Sequence, residues 1–374
     1  MSRPIVIAAG GTGGHLFPAE ALAAELIARG ERVALMTDAR SSAFASAAFA
    51  GAERFILKGS GLAGHGALKA AKGAIALAVG TIEARGLLKR LDAAAVVGFG
   101  GYPSVPPVLA ARLLSARPVV VLHEQNAVLG RANKLMARFA DALALSFAGT
   151  TRVPSTADSV LVGNPVRPAL AALASQPYAA PEPGGAIRLL VTGGSLGARV
   201  LSDVVPAAIA QLAPELRSRL LITQQARAED IDRVRAAYAP TGVPVELAPF
   251  FGDIATRLST AHLVIARAGA STIAELACAG RPSLLVPLPN AIDDHQSANA
   301  RALVTAGAAQ LMPQARFTPE SLAAALVEWL TTAGKLTRAA EAAAGLAQPD
   351  AARSLADLTL QRIAARAGMR TETR

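Results

Sequence analysis

The chain has 374 residues, enough for two ordinary domains, with 52% hydrophobic residues but only 4% aromatic ones. No apolar run reaches the roughly 18 residues of a spanning helix, residues 5–9 are too short for a signal-peptide core, and a lone Cys278 excludes an intramolecular disulfide framework, fits a reducing compartment and reads as an inert core residue. Of the net charge of +10, residues 1–164 carry 17 Lys/Arg against 10 Asp/Glu and residues 165–349 carry 15 against 14, so an anionic partner is expected on the N-terminal half: nucleic acid, a phosphorylated ligand or anionic lipid.

Residues 4–8 read as a buried parallel strand, followed by GGTGGH at 10–15 and an amphipathic helix whose apolar face is Phe17, Leu22, Leu26 and Ile27, stopped by Gly30. Strand, glycine loop and helix aim backbone N–H groups and a positive dipole end at an anion; a tight turn with no ligand fits the same residues. His15 adds a group able to move a proton. Strands are predicted at 33–37, 96–99, 119–122 and 143–145, a spacing of βαβ units with a parallel sheet. Ligands of such sheets bind beyond the carboxyl ends of the strands, where GFGGYP at 98–103 and HEQN at 123–126 also fall. Between them, Gly59, Gly61, Gly64 and Gly66 suggest a mobile loop. Leu68, Ile75, Val79 and Ile82 then recur at helical spacing beside Lys69, Lys72, Arg85, Lys89 and Arg90, a pattern of either a membrane-surface helix or a docked one with a solvated basic flank.

The first domain is expected to end near 164, with residues 174–186 as a Pro/Ala/Gly-rich linker. A second strand at 187–191 leads into TGGSLGAR at 192–199, again an anion cradle. Strands at 220–223, 245–247, 263–265 and 284–286 continue a second parallel sheet. RAGASTIAE at 267–275 runs from a strand end into a helix. Glu275 lies one turn in, placed to accept two ribose hydroxyls or simply favoured by the dipole. Asp293 and Asp294 offer a paired-aspartate metal site as an alternative, although the ligand set of a hard-cation site is not evident around them. A last apolar face, Ala352, Leu355, Leu358 and Ile363, closes the chain.

GGTGGHLFPA at 10–19, GFGGYPSVP at 98–106, HEQNAVLGRANK at 123–134, GNPVR at 163–167, GGSLGAR at 193–199, RAGASTIAEL at 267–276 and DDHQSANA at 293–300 together resemble the signatures of the MurG family, in order, over essentially the whole chain. The resemblance implies a GT-B α/β fold: two Rossmann-like doubly wound parallel-sheet domains facing across a cleft. These would be 1–164, with the helix at 350–367 returning to it, and 165–349. It implies an inverting glycosyltransferase that moves GlcNAc from UDP-GlcNAc to lipid I to give lipid II. For the donor it implies Phe251 at uracil, Glu275 at ribose, Ser195, Arg167 and Ser271 at or near the diphosphate, and Gln296, Asn299 and Ala270 at the sugar. Thr12, Gly13, Gly14 and Asn126 also count among the donor contacts. For the acceptor it implies Gly13, Gly14, Gly100, Gly101, Tyr102 and Asn133, with Glu124 and Asn126 near the sugar and His15 as general base, Glu124 being the rival base. It further implies no cofactor or metal ion, an anionic membrane surface and other cell-wall enzymes as partners, no nucleic acid, and a peripheral place on the cytoplasmic face of the inner membrane. Competing expectations are another GT-B enzyme on UDP-GlcNAc, such as an epimerase or glycolipid transferase, and an NAD-binding protein with Asp38 on the ribose.

Overall fold

The computed structural model describes residues 2–11, 13–41, 47–57, 67–194 and 197–372. The chain divides into two units, Met1–Arg167 with Asp350–Arg374, and Pro168–Pro349.

The first unit holds a seven-stranded sheet of order β3-β2-β1-β4-β5-β6-β7. Its strands are β1 Ile5–Ala8, β2 Val33–Thr37, β3 Glu53–Ile56, β4 Ala95–Gly98, β5 Val119–Glu124, β6 Ala142–Leu145 and β7 Ser159–Leu161. Every pairing is parallel; Ile5 pairs with Val33 on one side and Ala95 on the other. β1, β4 and β5 are buried throughout, as a sheet covered on both faces requires. Ile5, Ile7, Val97 and Val121 share a core with Leu22 and Leu26 of the helix Gly13–Ala28. Val6, Ala8, Val96 and Val120 point the other way, against Ala84, Leu88 and Val108, the alternation dictated by a period of two. Ile27, expected on the buried face of its helix, is 44% exposed; it lies about 100° round the helix from the fully buried Leu26, which faces the sheet from the same turn.

The helix Ala351–Glu372 belongs to this unit. Leu355, Ala356 and Leu358 complete the core that holds Ile5 and Leu22. Arg366 pairs with Asp141 and donates to the Pro118 carbonyl at 2.7 Å.

The second unit holds a six-stranded parallel sheet of order β10-β9-β8-β11-β12-β13. Its strands are β8 Ile187–Thr192, β9 Leu220–Gln225, β10 Val245–Ala248, β11 Leu263–Ala266, β12 Ser283–Leu285 and β13 Ala309–Leu311. Cys278 is buried, and burial pushes its thiol up to about 11. His262, outside any predicted site, is a buried structural residue whose Nδ1 accepts the Arg188 backbone N–H at 3.1 Å.

The helix Ala67–Leu91 turns Ala84 and Leu88 inward and leaves Ile75, Val79 and Ile82 exposed, with Lys72, Arg85, Lys89 and Arg90 also exposed. Ile75, Val79 and Ile82 of the apolar stripe read from the sequence are thus on the open face of this unit, not in its core, while the side chains of Leu68 and Lys69 lie outside what the structure describes. The glycine-rich segment before it lies outside the described residues.

Candidate active site

In each sheet the strand order reverses once, between β1 and β4 and between β8 and β11. Loops leaving neighbouring strands at such a point diverge to opposite faces and leave a crevice at the carboxyl edge. The loops in question carry Gly10–Gly14 and Gly98–Gly101 in the first unit, and Gly193–Gly197 and Arg267–Gly269 in the second.

In the first unit, Gly13 and Gly14 open the helix Gly13–Ala28, where backbone N–H groups lack intrahelical partners. The preceding loop is tied down: the Gly11 N–H donates to Ser41 Oγ at 2.7 Å, and Ser41 Oγ donates to Asp38 Oδ1 at 2.6 Å. Asp38 is therefore a buried loop anchor, which removes the geometric basis for placing it on an NAD ribose. Thr12 lies outside the described residues.

His15 is half-buried, and its Nδ1 meets Gln125 Oε1 at 2.9 Å. Gln125 Nε2 meets both Nδ1 and the carbonyl of His123 at 2.9 Å. His123 Nε2 meets the Gly163 carbonyl at 2.9 Å. Burial, partly opposed by that carbonyl and aided by nearby His15, pulls the His123 pKa down to about 4. Gly100 and Gly101 both adopt positive φ, 78° and 67°. A Cβ at Gly100 would stand 3.2 Å from Asn133 Nδ2, and one at Gly101 would stand 3.5 Å from His15 Nε2. Glycine is needed there for backbone conformation and to keep that side of the imidazole open.

Glu124 is buried at the end of β5. Its Oε1 accepts from the backbone and side-chain nitrogens of Asn126 at 2.9 and 3.1 Å. Its Oε2 accepts from the Gly130 N–H at 2.8 Å and Asn133 Nδ2 at 2.9 Å. A carboxylate offers about four lone-pair sites, and four N–H donors occupy them. Glu124, Asn126 and Asn133 are thus brought together as one loop-ordering cluster, while Tyr102 stands 64% exposed. Arg167 falls in this first unit. Its guanidinium lies over the Phe17 ring at 4.8 Å, and its buried Nε has no hydrogen-bond partner among the described residues.

In the second unit, the glycine loop is stapled by Gln225. Its Oε1 accepts from the Gly193 N–H and Thr192 Oγ1, both at 3.0 Å, and its Nε2 donates to the Gly194 carbonyl at 2.9 Å. A Cβ at Gly193 would come within 2.3 Å of the Ala198 nitrogen, so only glycine closes this turn. Ser195 lies outside the described residues. Gly269 caps the helix Ala270–Ala279, whose first turn holds Ala270 and Ser271. Ser271 Oγ is buried with no hydrogen-bond partner among the described residues. Glu275 stands half-buried one turn on.

Asn299, fully buried, donates to the Ala268 carbonyl at 3.2 Å, joining the helix His295–Thr305 to the same loop. Gln296 Oε1 accepts the Leu288 N–H at 2.9 Å. Arg267 fixes the facing segment by donating to the Val286 and Pro287 carbonyls at 3.0 and 2.9 Å. Phe251 is buried beneath the Arg257 guanidinium, 4.1 Å from its ring centre. Asp293 and Asp294 both sit in the left-handed region. Among the described residues no three His, Cys, Asp or Glu gather as a metal-binding group. Gln125, Gln225 and Arg267 had no role assigned from sequence; their signal is a polar side chain at the carboxyl end of an apolar strand.

Two family models match the chain: the glycosyltransferase family 28 N-terminal domain over residues 5–145 and its C-terminal domain over residues 188–355. A relative from Granulibacter bethesdensis, named UDP-N-acetylglucosamine--N-acetylmuramyl-(pentapeptide) pyrophosphoryl-undecaprenol N-acetylglucosamine transferase, is 59% identical over 96% of this chain and 94% of its own. One of the same name from Acidiphilium cryptum is 53% identical over 98% of each chain. The crystal structure of Acinetobacter baumannii MurG superposes with a TM-score of 0.77 at 31% identity, over 96% of this chain and 100% of that one. Both switch points thus lie within the matched spans, and the chain belongs to glycosyltransferase family 28, among its MurG enzymes of GT-B fold.

Proposed function

We propose that this enzyme transfers GlcNAc from UDP-GlcNAc to the muramoyl 4-hydroxyl of lipid I, forming lipid II for peptidoglycan. The observation that carries the reading is the 59% identity, over nearly the full length, to a transferase named for those substrates. The site chemistry supports it: each unit offers a glycine loop and a helix N-terminus to a diphosphate, and one of the two also carries an imidazole.

In the proposed reaction His15 Nε2 takes the proton of the acceptor hydroxyl. The freed oxygen pair forms a bond to the GlcNAc anomeric carbon. The bond from that carbon to the UDP oxygen breaks, and UDP leaves with the electron pair. Attack opposite the leaving group inverts the centre. Charge growing on the diphosphate is met by the prearranged N–H dipoles of the Ala270–Ala279 N-terminus, with Ser271 Oγ as a further donor. No metal or cofactor is assigned a step. Glu275 addresses the ribose, Phe251 the uracil through its backbone, and Gln296 and Ala270 the sugar, while the fully buried Asn299 holds the loop at Ala268. Glu124, with its lone pairs occupied, orders the acceptor loop and leaves the base role to His15.

The acceptor's lipid tail requires the enzyme to meet a bilayer. Among the described residues no helix is long and apolar enough to cross one. The open face of Ala67–Leu91, with Ile75, Val79 and Ile82 among exposed cations, is the surface we assign to anionic lipid, on the cytoplasmic side.

The test is transfer of labelled GlcNAc to a short-chain lipid I analogue by the wild type and His15→Ala. Disaccharide product from the wild type alone is expected. Product from both would move the base elsewhere, and none from a folded wild type that binds UDP-GlcNAc would favour an epimerase or glycolipid transferase.

A further inference from the structure

The imidazole of His15 is the end of a chain of hydrogen bonds whose direction is fixed at the other end. The Gly163 carbonyl can only accept, so His123 Nε2 carries a proton. Burial keeps His123 neutral near pH 7, so its Nδ1 holds a lone pair. Gln125 places one end of its amide against two acceptors, His123 Nδ1 and the His123 carbonyl, both at 2.9 Å. That end must be the NH2. The other end, Oε1, faces His15 Nδ1 at 2.9 Å and can only accept. His15 must then donate from Nδ1, and its neutral form keeps the lone pair on Nε2, the nitrogen beside Gly101. Free imidazole side chains favour the opposite tautomer, with the proton on Nε2, which cannot accept a proton from a hydroxyl at that atom.

We propose that Gln125, held by His123 and the Gly163 carbonyl, is a positioning residue that sets the tautomer of His15 and so presents its Nε2 lone pair. The proposal rests on the reading of His15 as base, but its central claim is a proton position that can be observed without turnover. Every member of the chain except His15 is buried, so water does not compete for the bonds that transmit the choice. Gln125 touches no reacting atom in this scheme. It acts through the tautomer that its hydrogen bond selects.

The experiment is two-bond proton–nitrogen correlation spectroscopy of the full-length protein labelled with 15N-histidine. The chain has five histidines, so single substitutions assign them. The expected wild-type spectrum shows His15 protonated at Nδ1 and unprotonated at Nε2, and His123 the reverse. Gln125→Met, close in volume but without an acceptor, is expected to move His15 toward the Nε2–H form. It should lower kcat by roughly ten-fold or more, within the ~10²–10⁴-fold worth of a general base, with KM for both substrates unchanged. Gln125→Glu, which keeps an acceptor toward His15, should retain the Nδ1–H signal and recover part of kcat. A wild-type His15 protonated at Nε2, or a His15 signal unmoved in folded Gln125→Met, would overturn the proposal. If Gln125→Met fails to fold, loss of the Nδ1–H signal in Gln125→Glu would overturn it, and its retention would support it. Full activity of His15→Ala alongside the expected spectra would instead overturn the base assignment and leave the tautomer relay standing.

Discussion

Asn133 Nδ2 donates to Glu124 Oε2 at 2.9 Å, reaching back from the helix Arg131–Met136 to the end of a central strand. With Gly130 and Asn126 it fills the carboxylate with N–H donors. The residue that a sequence reading offers as a second base is thereby spent on holding a loop.

Glu124→Gln puts an NH2 group where two N–H donors already point. Hydrogen bonds to a charged acceptor are worth about 1.5–3 kcal/mol each, so the first unit should lose roughly 2–4 kcal/mol. Urea unfolding with amide exchange on residues 124–133 measures this. An unaltered stability with abolished turnover would return Glu124 to the chemistry.

Gly101→Ala forces a side chain into φ 67°, a cost of roughly 1–2 kcal/mol, and sets a methyl 3.5 Å from His15 Nε2. Transfer should fall at least ten-fold while UDP-GlcNAc affinity holds. Steady-state kinetics paired with calorimetric donor binding separates the two effects.

His123 and His262 both have pKa values lowered by burial to about 4 in the folded protein; Arg188 and Arg281 add to the effect at His262. Unfolded, each returns to about 6.5. Between those values the unfolded chain binds more protons, so stability rises with pH there and falls as pH drops below about 6.5. The loss is roughly 1 kcal/mol per histidine near pH 5.5. Denaturant midpoints from pH 7.5 to 5 should show the decline, and His262→Asn should flatten the part due to the second unit.

Ile82 is 72% exposed, so Ile82→Glu should change stability by less than about 0.5 kcal/mol. Cosedimentation with phosphatidylglycerol vesicles should drop several-fold. Undiminished vesicle binding would move the lipid contact off the helix Ala67–Leu91.

Much of the fold was legible because buried parallel strands announce themselves as apolar runs; β1, β4 and β5 are of this kind. The strands not marked are Glu53–Ile56, Ser159–Leu161 and Ala309–Leu311, all at sheet edges. Edge strands are half-solvated: Glu53 and Arg54 are exposed, as are Ser159 and Leu161, so no apolar signal marks them. At the site, the rim residues are visible as polar and glycine-rich strand ends. The occupancy of Glu124 and the direction of the Gln125 amide are not, because they depend on how residues 126–133 and 163 fold back in space.

The return of the helix Ala351–Glu372 to the first unit makes the second unit an insertion within it. On a ribosome the residues of β1 to β7 emerge first, yet the core that needs Leu355 and Leu358 stays incomplete until the helix that carries them has been made. The unit that begins second can therefore finish first. Until then the core around Ile5, Leu22 and Val121 lacks Leu355, Ala356 and Leu358, so the first unit waits incomplete while the whole of the second is made.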